Sequence, residues 1–201
     1  MFPLGTVLLP HMVLPLHVFE PRYRALMQQV MVDGREFGVV LIRRGHEVGG
    51  GEQRYDVGTI AHVVEAEELD DGRWLVITLG TGRVQVERWL PDAPYPLAEV
   101  RTLPDARATA PALALRDTLL PRLRRVLAMQ LELGRDGVSP TVELSDDPAV
   151  ACWQVVVVAP VTPLDAQQLL AIDDHEERMR VLGELLADLE ESFGWQLRGQ
   201  T

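Results

Sequence analysis

Residues 57–89, VGTIAHVVEAEELDDGRWLVITLGTGRVQVERW, decide that the first half of the chain is β-structure. Apolar and polar side chains interchange along Thr59–Glu67, Trp74–Leu79 and Arg83–Trp89, the pattern of strands with one buried face. Asp71-Gly72 divides the first two runs, and Asp-Gly at such a place signals a hairpin because glycine supplies the positive φ that the turn needs. Thr81-Gly82 reads as a second turn, so that two hairpins follow in series.

Working back from this segment, Phe37–Ile42 is a buried strand, and the Gly49-Gly50-Gly51 tract behind it reads as a mobile loop. Further upstream, Leu4–Leu9 and Val13–Val18 are apolar runs bounded by proline, which suits strand ends and edges, with a turn at Pro10. Pro21 fits a first helical turn, and Tyr23, Leu26, Met27 and Val30 recur at helical spacing up to a stop near Asp33-Gly34. Leu97–Val100 completes the set. About six short strands with one early helix predict a small closed or nearly closed β-barrel.

Downstream the character changes. Residues 1–103 are expected to form the barrel subdomain, 104–111 a linker rich in proline and alanine, and 112–201 an α-helical bundle, making the fold class α+β. Leu115, Leu119, Leu123, Val126 and Leu127 repeat at helical spacing, with a kink expected at Pro121 and a stop at Gly134. Asp146-Asp147-Pro148 starts a second helix, Thr162-Pro163 with Asp165 forms a capping box for a third, and Asp173 with Glu176 caps a fourth. WQVVVV (153–158) alone would be a buried strand, but the preceding cap and the flanking helices favour helix.

Composition narrows the function. The opening residues lack the basic start and unbroken apolar core of an export signal, and Val155–Val161 is far shorter than the roughly 20 residues that span a bilayer, so a soluble cytoplasmic protein is expected. The single cysteine, Cys152, agrees with a reducing compartment. Net charge is −11, divided as −4 before residue 111 and −7 after it, which disfavours nucleic acid. All 19 basic residues are arginine. The lack of lysine excludes a P-loop, Schiff-base chemistry and a Ser-Lys dyad within these residues.

The segment FPLGTVLLPHMVLPLHVFEPRYRALM (2–27) resembles the start of the amino-terminal substrate-binding domain of the Lon proteases. In order after it, FGVVLI (37–42), EVGG (47–50), YDVGTIAHV (55–63), DGRWLVITLGTGRVQV (71–86) and LDAQQLLAIDDHEERMRVLGELL (164–186) are similar to the same domain. The resemblance implies a barrel of the pseudouridine-synthase-associated type followed by a helical bundle. A full Lon protease continues into an ATPase and a Ser-Lys peptidase, whereas this sequence stops at Thr201 without lysine, so neither activity carries over. What it implies is recognition of apolar or misfolded polypeptide segments, or of a protein partner; from composition and motifs, no cofactor, no metal, no membrane and no nucleic acid are expected.

Candidate residues follow from these readings. Leu9, Met12 and Leu14 are the candidates for an apolar patch offered to substrate, Met12 being adaptable in shape, although a lone methionine is more often plain core packing. His17, Phe19, Glu20, Arg22, Tyr23 and Arg83 read as framework of the family motif: Phe19 and Tyr23 anchor the first helix, and Glu20, Arg22 and Arg83 form a partly buried ionic network. His17 with Glu20, and Asp174, His175 and Glu176, have loosely metal-like spacing but match no ligand motif. Ser139, Ser145 and Ser192 lack a nucleophile setting, and Cys152 beside Trp153 reads as a small buried hydrophobe. The Glu65–Asp71 carboxylates read as a solvated hairpin tip, and Arg122, Arg124 and Arg125 as surface pairs of the bundle. The expected function is therefore a non-enzymatic polypeptide-recognition module, monomeric or weakly oligomeric. A small-ligand receptor is the alternative, and an unrecognised hydrolase is a third class.

Overall fold

A computed structural model describes residues 1–45, 47 and 51–199. Gly49 and Gly50 of the expected loop lie outside the described residues. The elements run β1 (Phe2–Leu4), β2 (Val13–Val18), α1 (Pro21–Val32), β3 (Glu36–Arg44), β4 (Gln53–Glu68), β5 (Trp74–Leu90), β6 (Leu97–Leu103), α2 (Ala110–Glu132), α3 (Pro148–Val158), α4 (Pro163–Ala171) and α5 (His175–Arg198). They fall into two compact units, Met1–Asp105 and Ala106–Thr201. The fold class is α+β. Among the described residues no helix is long and apolar enough to cross a membrane.

The first unit is one open sheet ordered β1-β3-β4-β5-β2, with β6 also on β5. This corrects the expectation of a closed or nearly closed barrel. β1 contributes only three residues, parallel to Val39–Leu41 of β3, and β2 pairs along Trp74–Leu79 of β5. Among the described residues no ladder joins the two ends of the sheet.

The expected turn at Thr81-Gly82 is also absent, because β5 runs unbroken through it. Opposite Ile60 and Ala61 of β4 stand Gly82 and Gly80, which leaves Thr81 as the extra residue of a β-bulge. At that point β5 exchanges β2 for β6, which pairs with Arg83–Leu90. Gly80 permits the exchange: a Cβ there would lie 2.2 Å from the Leu9 carbonyl oxygen. His11 N–H donates to Gly80 O (2.8 Å) and Gly80 N–H to Met12 O (2.9 Å), so the 9–12 loop is laced to the bulge.

The expected strand Leu4–Leu9 ends at Leu4. Val7, Leu8 and Leu9 are buried loop residues, with Leu8 O accepting the Thr59 hydroxyl at 2.5 Å in place of a ladder bond. Beneath the sheet, α1 buries Tyr23, Leu26, Met27 and Val30 against Phe2, Phe37, Val39, Val63 and Val76. Tyr23 stacks on Phe2 with ring centroids 4.2 Å apart, a pairing that adds about 1 kcal/mol to the burial of both rings.

The second unit is helical, and WQVVVV lies in α3, where Asp147 accepts from the amides of Ala149 and Val150. The Thr162–Asp165 capping box starts α4. α5 is capped by Asp174, accepting from Glu177 N–H, rather than by the expected Asp173. Its core holds a buried cation. Arg178 donates through Nε to Leu169 O (3.1 Å) and through Nη2 to Ile172 O, which satisfies carbonyls at the end of α4. Its guanidinium also lies 3.8 Å from the Trp153 ring centroid and 2.7 Å from His175 Nδ1. On the unit's surface Arg122 and Arg125 both meet Glu190, at 3.0 and 2.7 Å.

Candidate functional site

β2 ends the sheet, and VLPLHV alternates in exposure as a strand with one covered face must. Leu14 and Val18 are buried, whereas Val13, Pro15 and His17 are exposed. The bond from Gly80 N–H to Met12 O sets the phase of the ladder. By alternation, Leu14, Leu16 and Val18 direct their backbone groups to β5, and Val13, Pro15 and His17 direct theirs to the open side. Proline is therefore tolerated in this strand because its missing N–H falls on the edge that pairs with no other strand among the described residues.

The exposed face beside this edge is apolar. Val13 is 58% exposed and Leu75, opposite His17, is 45% exposed. A groove of about 370 Å³ runs from Pro15 and Leu16 over Leu75 and Ile77 to the carboxylates of Glu65 and Glu67.

At the junction of β2 and α1 is a second cavity, of about 180 Å³. Its buried lining is Phe2, Leu4, Val18 and Tyr23, and its more open side carries His17, Phe19, Glu20 and Glu47. Arg22 braces this side. Its Nε is 3.2 Å from Glu20 Oε2, its Nη2 donates to Glu47 O at 3.1 Å, and its guanidinium carbon lies 4.4 Å from the Tyr23 ring centroid. The Tyr23 hydroxyl is buried with no hydrogen-bond partner among the described residues. Burial pushes its pKa above the usual tyrosine value, only partly opposed by the Arg22 charge.

The residues singled out from sequence divide between core and surface. Leu9 and Leu14 are buried, 4% and 9% exposed, and Met12 is partly buried against the same core. The apolar atoms at the surface belong instead to Val13, Phe19 and Leu75. Phe19, expected as an anchor, is 50% exposed beside His17, with ring centroids 6.1 Å apart, because it follows the last paired residue of β2. Tyr23 does anchor α1. Glu20 and Arg22 form the expected pair, but Arg83 is buried on β5 opposite Thr59 and Leu103 and donates to Pro104 O at 3.4 Å. Val13 was legible from the alternation around Leu14; the cavity was not, since it joins residues 2, 18 and 23 through a fold.

The chain that carries this arrangement matches a known domain. A family model described as the ATP-dependent protease La (LON) substrate-binding domain matches residues 1–188. The chain belongs to this family. Lon protease 2 of Herpetosiphon aurantiacus is 32% identical to this LON substrate-binding domain over 190 residues, covering 92% of the chain and 23% of that protein. Lon protease of Anaeromyxobacter dehalogenans is 27% identical over 185 residues, covering 90% and 22%. The chain thus spans about a quarter of the length of these curated relatives. Among solved structures, a Lon N-terminal domain protein from Xanthomonas campestris is 25% identical with a TM-score of 0.61, covering 92% of this chain and 95% of its own. The N-terminal domain of Mycobacterium avium complex Lon protease, 22% identical with a TM-score of 0.66 and coverages of 92% and 97%, has the same fold.

Proposed function

We propose that this LON substrate-binding domain recognises exposed apolar or misfolded polypeptide segments, has no catalytic activity of its own, and serves proteolysis or protein quality control. The observation that carries the reading is the exposed apolar surface of Val13, Pro15, Phe19 and Leu75 along the outer edge of β2, which pairs with no further strand among the described residues, in a chain whose family is described by substrate binding. Apolar side chains grouped on a solvent face are stabilised by covering them, and an extended client does so while also meeting the free backbone groups of β2. Leu9, Met12 and Leu14 hold the strand from beneath. His17, Glu20, Arg22 and Tyr23 shape the cavity beside it, and Arg83 fastens the far half of β5.

The net charge of −11 supports protein clients over nucleic acid. A small-ligand receptor is less well supported, because the cavity of about 180 Å³ falls below the roughly 300–1,000 Å³ of pockets that enclose drug-sized ligands, and the groove of about 370 Å³ is more open to solvent than that cavity.

The test is a peptide array read with the wild type and with a Val13→Glu/Leu75→Glu variant. Both positions are exposed, so the melting temperature is expected to hold while binding of apolar peptides weakens at least about tenfold. An array with no bound peptide, or a variant that binds as tightly as the wild type, refutes the proposal.

A further inference from the structure

We infer that the sheet face over β5, turned away from α1, docks an amphipathic α-helix of a partner protein, one whose apolar stripe is bordered on one side by lysine or arginine. The inference goes beyond the reading above, which takes extended segments at the edge of β2, and shares Val13, Pro15 and Leu75 with it.

The strand register carries it. Trp74 and Val76 of β5 face the core beneath, so Leu75, Ile77 and Leu79 alternate onto the opposite face. On the β2 side, His17, Pro15 and Val13 stand opposite these three residues; on the β4 side, Glu67, Glu65 and His62 do. The result is an apolar centre with an apolar border at Val13 and Pro15 and an acidic border at Glu65 and Glu67. The groove of about 370 Å³ lies between these borders. Glu65 and Glu67 are exposed, and neither makes an ion pair or a side-chain hydrogen bond among the described residues. The arginines flanking this face in sequence are otherwise engaged: Arg35 donates to Val63 O and Val64 O, and Arg73 pairs with Asp71 at 2.7 Å. The two carboxylates therefore remain to be met by cations of a partner.

Spacing selects a helix as the occupant. Neighbouring strands lie about 4.8 Å apart, so β2 and β4 are separated by about 10 Å, the width of a helix with its side chains. A helix lying along β5 thus touches Pro15 with one flank and the carboxylates with the other. A strand added outside β2 would lie about 14 Å from β4, too far for its side chains to meet them. The run from Leu75 to Leu79 measures about 14 Å, which about nine helical residues match, with apolar side chains at i, i+4 and i+7. Glu65 and Glu67 are about 7 Å apart along their strand, near the 5.4 Å of a helical turn, so lysine or arginine four residues apart on one flank meets both.

The experiment titrates the full chain with fluorescent peptides of about fourteen residues, held helical by an i,i+4 lactam bridge. One carries a leucine stripe with lysine along one flank, a second the same stripe with glutamate, and a third the lysine composition with its leucines scattered. A fourth is the lysine sequence without the bridge and with a central proline. The wild type is expected to bind the first at least about threefold more tightly than the second, less so as salt is raised, and about tenfold more tightly than the third and fourth. Glu65→Lys/Glu67→Lys changes only exposed side chains and is expected to abolish or reverse the preference for the lysine flank. Equal affinity for the two flanks, a preference that survives this variant, or a proline or scattered peptide that binds as tightly as the first overturns the inference. Extended apolar peptides that bind the array in that case leave polypeptide recognition intact, whereas failure of every peptide in both sets overturns both.

Discussion

Gly80 and Gly82 are two residues apart in one strand, yet alanine should affect them very differently. A Cβ on Gly80 would stand 2.2 Å from Leu9 O and 3.2 Å from Thr59 Cγ2, whereas a Cβ on Gly82 meets nothing within 4 Å and neither glycine has a positive φ. Ordinary carbon-to-carbonyl-oxygen contacts begin near 3.3 Å, so Gly80→Ala must push the Leu9 backbone away by about 1 Å. That shift breaks or stretches the bonds from His11 N–H to Gly80 O and from Gly80 N–H to Met12 O, each contributing about 1 kcal/mol. It also disturbs the buried side chains of Leu8 and Leu9, for which overpacking costs about 1–2 kcal/mol more. The total is about 2–4 kcal/mol for Gly80→Ala, against a change within about 0.5 kcal/mol for Gly82→Ala. Urea unfolding of the two variants beside the wild type reads the difference as a lower midpoint for Gly80→Ala alone. Equal midpoints, or a larger loss at Gly82, would refute the close approach of the 9–12 loop to β5.

Two further outcomes follow from buried polar groups. Arg178→Met removes the donors to Leu169 O and Ile172 O and the contact with the Trp153 ring, and should cost the helical unit about 2–4 kcal/mol in thermal or urea unfolding; stability at or above the wild type would show that the guanidinium is not needed there. Tyr23 has a folded-state pKa raised by burial, so the unfolded chain ionises first as pH climbs past about 10: stability is unaffected below that value and declines above it, and Tyr23→Phe should flatten the decline in melting temperature between pH 9 and 11.

The alternation in residues 57–89 made the strands legible, and the spacing of Tyr23, Leu26, Met27 and Val30 made α1 legible, because both patterns are local. Where a strand exchanges partners is not local. Gly-Thr-Gly has the composition of a turn, and only the pairing of Ile60 with Gly82 and of Ala61 with Gly80 makes it a bulge. Closure likewise depends on whether distant edges meet, which six strand-like runs cannot say. At the site, the burial of Leu14 and the exposure of Val13 are the two sides of one alternating strand, while the mutual placement of Phe2, Val18 and Tyr23 depends on packing. Arg178 gave no signal at all, since an arginine on an amphipathic helix is ordinarily solvated and this one is held by carbonyls of a neighbouring helix.

The pairing of β2 with β5 also sets an order on synthesis. Val13 pairs with Leu79 and Val18 with Trp74, so β2, made before β3, β4 and β5, has no sheet to join until the chain has been made past the bulge. The β4–β5 hairpin can close through contacts near in sequence, and β2 must then be recruited across a long loop. In pulse-labelled hydrogen exchange during refolding, the amides of Leu14 and Leu16 should therefore gain protection after those of the hairpin. Until then β2 is itself an apolar segment awaiting a partner.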